Sequence, residues 1–137
     1  MPTIKRIDHI AIVIDDIETA LDFWRDALGL SVSHIADVPT EHSQIIFLPL
    51  GSSEIELVKP TTDDSGLARY LDKRGPGMHH ICLEVDDIEA MMSQLKSKGI
   101  QLIQETPSVG LGGRKYAFIH PKSSSGVLVE LYELPPG

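Results

Sequence analysis

The chain has 137 residues, of which 42% are hydrophobic and 23% charged, and its formal net charge is −8. This length and composition fit one globular domain with a sizeable core, and no apolar run approaches the roughly 20 residues that span a bilayer. The acidic balance argues against nucleic acid and against a membrane as the main partner, because both demand a basic surface.

Two further features predict a cytoplasmic protein. The first residues, MPTIKRIDH, contain no apolar segment of the kind found in signal peptides. Cys82 is the only cysteine, so an intrachain disulfide is impossible.

A phrase of eleven residues occurs twice in the chain. DHIAIVIDDIE (8–18) returns as HHICLEVDDIE (79–89), and an offset of 71 residues places His9 on His80. Apolar residues spaced by three and four follow each copy, which predicts one amphipathic helix in each half. The first apolar stripe consists of Ile17, Ala20, Leu21, Trp24 and Leu28, and the second consists of Ile88, Met91, Met92 and Leu95.

The residues around these stripes predict where the helices begin and end. Asp15 and Asp86 are each followed by a glutamate three residues later, a pattern that resembles a capping box with aspartate as the cap. Gly29 and Gly99 follow the stripes and predict the C-terminal ends.

Two strands are predicted after each helix. They cover 44–50 and 53–59 in the first half, and 115–121 and 126–134 in the second, with turns at 48–55 and 120–127. Each half therefore has a strand, a helix, and two or three more strands. We predict one α+β domain over residues 1–137, with module one at about 5–58, a linker with a short helix at about 59–77, and module two at about 78–133.

The alternation of side chains along a strand separates two faces. His9 and His80 fall opposite the aliphatic residues that would pack under each helix, and Glu56 and Glu130 do the same on the last strands. Glu130 stands inside the apolar run VLVELYEL, where a carboxylate is costly to bury unless it is paired or bound to a metal.

These four side chains would converge if each half curled its non-helical face inward. Two imidazoles and two carboxylates suit a divalent ion such as Zn, Ni, Co, Mn or Fe. A six-coordinate ion would keep two positions open for a bidentate substrate. The alternatives are a solvated sheet face for Glu56 and a salt bridge for Glu130.

Several other residues have structural interpretations. We expect His34, His42 and His120 to be structural, His79 to point to the helix side, and Cys82 to be a small buried residue. The stretch GLGGRK (110–115) lacks the spacing of a phosphate-binding loop. It is interpreted as a flexible loop that could serve as a lid or a substrate contact.

Residues 5 to 133 resemble the vicinal oxygen chelate superfamily, which implies two tandem βαβββ modules forming a cup-shaped mixed sheet around a metal. The phrases at 7–30 and 77–103 are generic to the superfamily. The phrase GGRKYAFIHPKSSSGVLVEL (112–131) is similar to one more specific to the methylmalonyl-CoA epimerases.

The resemblance implies site residues. The family's metal ligands fall on His9, Glu56, His80 and Glu130, and its second active-site glutamate falls on Glu41. The implied cofactor is a divalent ion, Co, Mn, Ni, Zn or Mg. The family often has glutamine at the position of Glu56, whereas glyoxalases have a carboxylate there.

The resemblance also implies an activity. The expected reaction interconverts (2R)- and (2S)-methylmalonyl-CoA through abstraction and return of the α-proton, with Glu41 and Glu130 on opposite faces of a metal-stabilised enediolate. The expected partners are an acyl-CoA substrate and a second copy in a homodimer. Arg114, Lys115 and Lys122 are expected near the cup, where coenzyme A needs cations.

Other functions stay open on the sequence alone. The first is a glyoxalase-type lactoylglutathione lyase, or another metal-dependent isomerase, which would differ in substrate. The second is a non-catalytic binding protein of this fold, against which the intact set of four ligands argues. An extradiol dioxygenase fits less well, because those enzymes use two histidines and one glutamate and usually have longer chains.

Overall fold

The structure, a computed structural model, describes residues 1–136 and divides into two compact units. The central unit contains residues 9–79, and the terminal unit contains residues 1–8 together with residues 80–136. Among the described residues, no helix is long and apolar enough to cross a membrane.

The central unit contains the first module. Its elements are β1 (Ile4–Val13, of which residues 9–13 belong here), α1 (Ile17–Leu21), a π-helix (Asp22–Ala27), β2 (His34–Val38), a 3-10 turn (Pro39–Glu41), β3 (Ser43–Leu50), β4 (Ser53–Pro60) and α2 (Gly66–Arg74). The strand order is β2-β3-β4-β1. Strand β4 runs parallel to β1 and antiparallel to β3.

The two faces of this sheet bury different apolar clusters. Ile10, Ile12 and Ile14 lie with the residues of α1 in the larger cluster. The opposite face has a smaller cluster, which consists of Ala11, Val38, Ile45, Phe47 and Val58. The predicted alternation along β1 is therefore confirmed.

The first apolar stripe is interrupted by the π-helix. Four of its five predicted residues pack in the larger cluster, but the side chain of Leu28 is 55% exposed. The Leu28 N–H donates to the carbonyl of Phe23, five residues earlier, at 2.9 Å. Because a π turn takes more residues than an α turn, Leu28 rotates away from the core, and Leu30 packs there instead. The prediction for Leu28 was wrong for this reason.

The N-terminal caps lie one residue later than predicted. Asp16 caps α1 and Asp87 caps the helix of the second module, and each carboxylate accepts from the backbone N–H three residues on, at 2.9 and 3.1 Å. Both caps have the extended backbone that a cap requires. Asp15 and Asp86 are therefore not the caps.

The predicted ends and the linker helix are confirmed. Gly29 and Gly99 have φ angles of 87° and 77°, the left-handed conformation in which helices commonly end. Helix α2 forms within the predicted linker, and Ser65 caps its first turn.

The terminal unit contains the second module. Its elements are the N-terminal part of β1, β5 (Gly77–Val85, of which residues 80–85 belong here), α3 (Ile88–Ser97), β6 (Ser108–Val109), a 3-10 turn (Leu111–Gly113), β7 (Lys115–Ile119), a second 3-10 turn (Pro121–Ser123) and β8 (Val129–Glu133). The strand order is β5-β8-β7-β6, with β5 parallel to β8. The predicted α+β fold with two βαβββ modules is therefore confirmed.

The apolar stripe of α3 packs as predicted. All four of its residues lie in or against one core cluster. The buried members of this cluster are Val85, Ile88, Met91, Met92, Ala117, Ile119, Val129 and Leu131. Because α3 is a regular α-helix, the spacing of three and four residues is kept along its length.

The first residues of the chain are fastened within the terminal unit. Thr3 donates its N–H to the carboxylate of Asp86 at 2.8 Å, and this hydrogen bond holds the pKa of Asp86 below its usual range. The Arg6 guanidinium donates to Glu84 at 2.7 Å and to Asp8 at 2.8 Å. Both of these carboxylates are 5% exposed, so Arg6 neutralises charge that would be costly to bury alone.

Candidate active site

The central unit contains a buried contact between His9 and Glu56. His9 on β1 is 1% exposed, Glu56 on β4 is 6% exposed, and His9 Nδ1 lies 3.1 Å from a carboxylate oxygen of Glu56. In the sheet, Glu56 is placed between Ala11 of β1 and Phe47 of β3. These neighbours leave the carboxylate on an apolar face, where a partner is required.

The terminal unit contains the corresponding contact between His80 and Glu130. Nε2 of His80 lies 2.9 Å from a carboxylate oxygen of Glu130, which is 6% exposed. Glu130 on β8 is placed between Cys82 of β5 and Phe118 of β7. The ring of His80 meets that of Phe118 edge to face, with centroids 5.5 Å apart.

The two units therefore repeat one arrangement. In each, a glutamate on the last strand pairs with a histidine on the first, between a small buried residue and a phenylalanine. The sequence interpretation missed Phe47 and Phe118 because an apolar residue in a strand is first assigned to the core. The repeat spacing could have identified them, because the two phenylalanines are 71 residues apart, as are His9 and His80.

Each pair presents one imidazole nitrogen and one carboxylate oxygen at close range. Such donors bind divalent first-row ions, and they must be deprotonated to do so. Without an ion, a proton between nitrogen and oxygen satisfies the same two groups. A salt bridge and metal binding would both place the Glu130 carboxylate beside the His80 imidazole, so the observed contact fits both interpretations of Glu130.

Glu41 also belongs to the central unit. It is the last residue of the 3-10 turn between β2 and β3, and its side chain is exposed. The following residue, His42, has a left-handed backbone.

The other histidines that the structure places in contacts have structural neighbours. His34 stacks on Phe47 with ring centroids 4.3 Å apart. His79 meets Tyr70 of α2, with ring centroids 4.7 Å apart. His120 accepts a hydrogen bond from the backbone N–H of Lys122 at 3.0 Å.

Comparison with known proteins identifies the family. The model of the Glyoxalase/Bleomycin resistance protein/Dioxygenase superfamily matches residues 8–118. Human mitochondrial methylmalonyl-CoA epimerase is 41% identical over 127 residues, which are 92% of this chain and 72% of the human protein. An ethylmalonyl-CoA/methylmalonyl-CoA epimerase of Cereibacter sphaeroides is 38% identical over 133 residues, 96% of this chain and 99% of that protein. The chain belongs to the methylmalonyl-CoA epimerase family.

Solved structures agree with this membership. A variant of the Streptomyces coelicolor methylmalonyl-CoA epimerase, in complex with 2-nitronate-propionyl-CoA, matches with a TM-score of 0.89. It is 31% identical, and the match covers 98% of this chain and 100% of that chain. Plant proteins named as lactoylglutathione lyases are more distant, at 24–26% identity, and the chain spans 45% of their length.

The three cationic residues expected near the substrate differ in their contacts and exposure. The Arg114 guanidinium lies over the ring of Tyr132, 5.5 Å from its centroid. Lys115 forms an ion pair with Glu89 at 2.8 Å, and its pKa is raised by that contact. The side chain of Lys122 is exposed.

Proposed function

We infer that the protein is an isomerase that interconverts (2R)- and (2S)-methylmalonyl-CoA. The observation that carries this inference is its similarity, over nearly the whole chain, to epimerases in sequence and in fold. The buried His–Glu contact in each unit supplies groups that fit this chemistry.

We propose that the two His–Glu pairs together supply four ligands to one divalent ion, with Co, Mn, Ni, Zn and Mg as candidates. The support is the donor set itself, two imidazoles and two buried carboxylates. When bound, the ion would act as a Lewis acid on the substrate's carbonyl oxygens. Glu56, an anion where the family often has a neutral amide, would weaken that Lewis acidity.

The proton transfers require two groups, because the two epimers differ in the face of the α-carbon that carries hydrogen. One carboxylate takes the proton as the C–H bond breaks, and the electron pair delocalises into the thioester carbonyl. A carboxylic acid on the other face then donates a proton to the same carbon. We propose Glu41 for one face and Glu130 for the other, since a base must come within hydrogen-bond reach of its proton.

The acyl-CoA partner carries phosphates, which attract cations. Arg114 and Lys122 remain the proposed contacts for them. Lys115 is a weaker candidate, because its ammonium group already pairs with Glu89. The homodimer and the cytoplasmic location remain predictions.

The test is isotope exchange at the α-carbon. Purified protein, loaded with cobalt and placed in D₂O, receives methylmalonyl-CoA, and mass spectrometry follows deuterium entry with and without a chelator. We expect exchange that the chelator stops, and Glu41→Gln should greatly reduce exchange of the epimer whose α-hydrogen faces Glu41. Glu18→Gln, which removes an exposed carboxylate from α1, is the matched control.

No exchange in the metal-loaded wild type would contradict the epimerase. The glutathione hemithioacetal of a glyoxalase-type lyase would then be tried, because Glu56 is a carboxylate at the position where glyoxalases have one.

A further inference from the structure

The connection between β2 and β3 is short and has a fixed geometry. Val38 and Ser43 are paired across the two strands, so only residues 39–42 form the turn. Pro39–Glu41 make a single 3-10 turn, and His42 follows with φ 51° and ψ 43°. This is the left-handed region, which residues other than glycine uncommonly adopt.

The backbone of His42 is held on both sides. Its N–H donates to the carbonyl of Pro39 at 3.1 Å, and its own carbonyl accepts from the N–H of Thr61 at 2.9 Å. The next residue, Ser43, is 3% exposed and is also paired with Pro60 on β4. His42 therefore cannot leave the left-handed region without breaking these contacts.

We propose that His42 is a positioning residue, whose left-handed backbone aims the Glu41 carboxylate at the substrate. Glu41 immediately precedes His42 in the chain. The φ and ψ angles of His42 therefore set the direction of the 3-10 turn relative to β3. Backbone conformations that the surroundings impose in this way are characteristic of active sites. The inference rests on the proposed function, in which Glu41 serves one face of the α-carbon.

The residue type at position 42 fits this role. Histidine, asparagine and aspartate enter the left-handed region more readily than other non-glycine residues. Glycine adopts the left-handed region without a steric penalty. It also adopts many other conformations, so it would hold the turn less firmly. A β-branched residue is the least compatible choice. All four members of the series Val, Ala, Gly and Asn at this position lack the imidazole, so comparison among them, with Asn as the member closest to histidine in backbone preference, tests the effect of that preference.

The matched control is Ser125, the other described non-glycine residue with a positive φ. Its φ is 58°, its side chain is exposed, and it lies in a turn of the terminal unit. Ser125→Val therefore introduces the same backbone conflict as His42→Val at a residue that is not adjacent to Glu41 in the chain. Both substitutions should lower the melting temperature by similar amounts.

The experiment compares kcat and KM for epimerisation with hydrogen exchange of the Thr61 amide. We expect His42→Val to lower kcat by roughly 10- to 100-fold, because a misplacement of about 1 Å can have that effect. KM should change by less than about twofold, since His42 does not itself bind substrate in this proposal. His42→Asn should keep kcat within about twofold of the wild type, as should Ser125→Val. The Thr61 amide should exchange faster in His42→Val.

Other outcomes would overturn the inference. A wild-type kcat in His42→Val, with faster Thr61 exchange, would show that Glu41 does not depend on this turn. If His42→Val does not fold, His42→Ala provides the same comparison with a milder conflict. An inactive wild type would instead contradict the proposed function, and an active Glu41→Gln would contradict the role of Glu41. These failures are distinguishable from each other.

Discussion

Glu56 is the residue at which the chain differs from the pattern that its family resemblance implies. Its carboxylate lies on an apolar face, and His9 Nδ1 is 3.1 Å away. The local geometry would suit glutamine as well, since an amide oxygen can accept from the same nitrogen. The difference is one negative charge, and the metal affinity should respond to it.

The first prediction is that Glu56→Gln keeps the fold and the activity but binds the ion more weakly. The loss of an anionic ligand should lower cobalt affinity by about tenfold or more, since even the outer partners of ligands change affinity by roughly 10- to 100-fold. Titration calorimetry measures it. Glu54→Gln, two residues earlier on the same strand, is the control. An unchanged affinity would argue that Glu56 is not a ligand.

The individual residues also show which of the predicted contacts strand alternation can supply. Strand alternation placed His9 with Glu56 and His80 with Glu130 because successive side chains in a strand point to opposite faces. Glu41 lies in a turn, where no period applies, so only the family resemblance could identify it. Phe47 and Phe118 became visible only when the register showed which residues flank each glutamate.

Helix α1 and the π-helix after it show where prediction from the spacing of apolar residues fails. The apolar spacing predicted one α-helical stripe, and the π-helix that follows Leu21 displaces its last member, Leu28. A π turn leaves no simple mark in the sequence, because the same residues would also fit an α-helix. In α3 the helix is regular, and the same reasoning placed all four residues correctly.

Two substitutions in this segment should therefore differ sharply. Leu21 is 4% exposed in the larger cluster, so Leu21→Ala should lower the free energy of unfolding by about 2–5 kcal/mol. Leu28→Ala should change it by less than about 0.5 kcal/mol, because that side chain is 55% exposed. Urea denaturation distinguishes them. Equal losses would mean that Leu28 is part of the core after all.

The ion pair between Lys115 and Glu89 links β7 to the first turn of α3. The Lys115 contact lowers the pKa of Glu89 from its usual value of 4.5, and the Glu89 contact raises the pKa of Lys115 from its usual value of 10.5. The Glu89 contribution to stability is therefore present above 4.5 and is lost as the pH falls through the lowered pKa. The Lys115 contribution is present below 10.5 and is lost as the pH rises through the raised pKa.

The third prediction follows from this pH window. Lys115→Met should be less stable than the wild type at neutral pH and equally stable at strongly acidic pH. The difference should shrink in high salt, because the side chains of Lys115 and Glu89 are 41% and 53% exposed. Thermal unfolding across pH 2–8 measures it, an interval that spans the usual carboxyl range. Lys73→Met, which removes the same charge from α2, is the control. A constant difference across this interval would contradict the proposed coupling.

The repeated eleven-residue segment, at 8–18 and 79–89, marks corresponding positions in the two halves of the molecule. Each half contains a strand with the paired histidine (His9 or His80), a helix that covers the opposite face, and later a strand with the paired glutamate (Glu56 or Glu130). The sequence established this duplication, the two modules and the linker helix, because repeats and hydrophobic periods survive in the order of residues. The module boundaries stay a prediction, and the compact units divide within β1 and β5 instead.

The duplication leads to the last prediction, which concerns metal stoichiometry. If all four residues bind one ion, removing the histidine of either unit should abolish binding, since neither pair alone offers enough ligands for a stable site. We expect about one cobalt per wild-type chain, and none in His9→Ala or in His80→Ala, by elemental analysis after dialysis. His79→Ala should retain the ion, because that neighbouring ring contacts Tyr70. If cobalt were retained in only one of the two single variants, the ion would be bound by the pair whose histidine is intact in that variant. The histidine of the substituted pair would then not be a metal ligand.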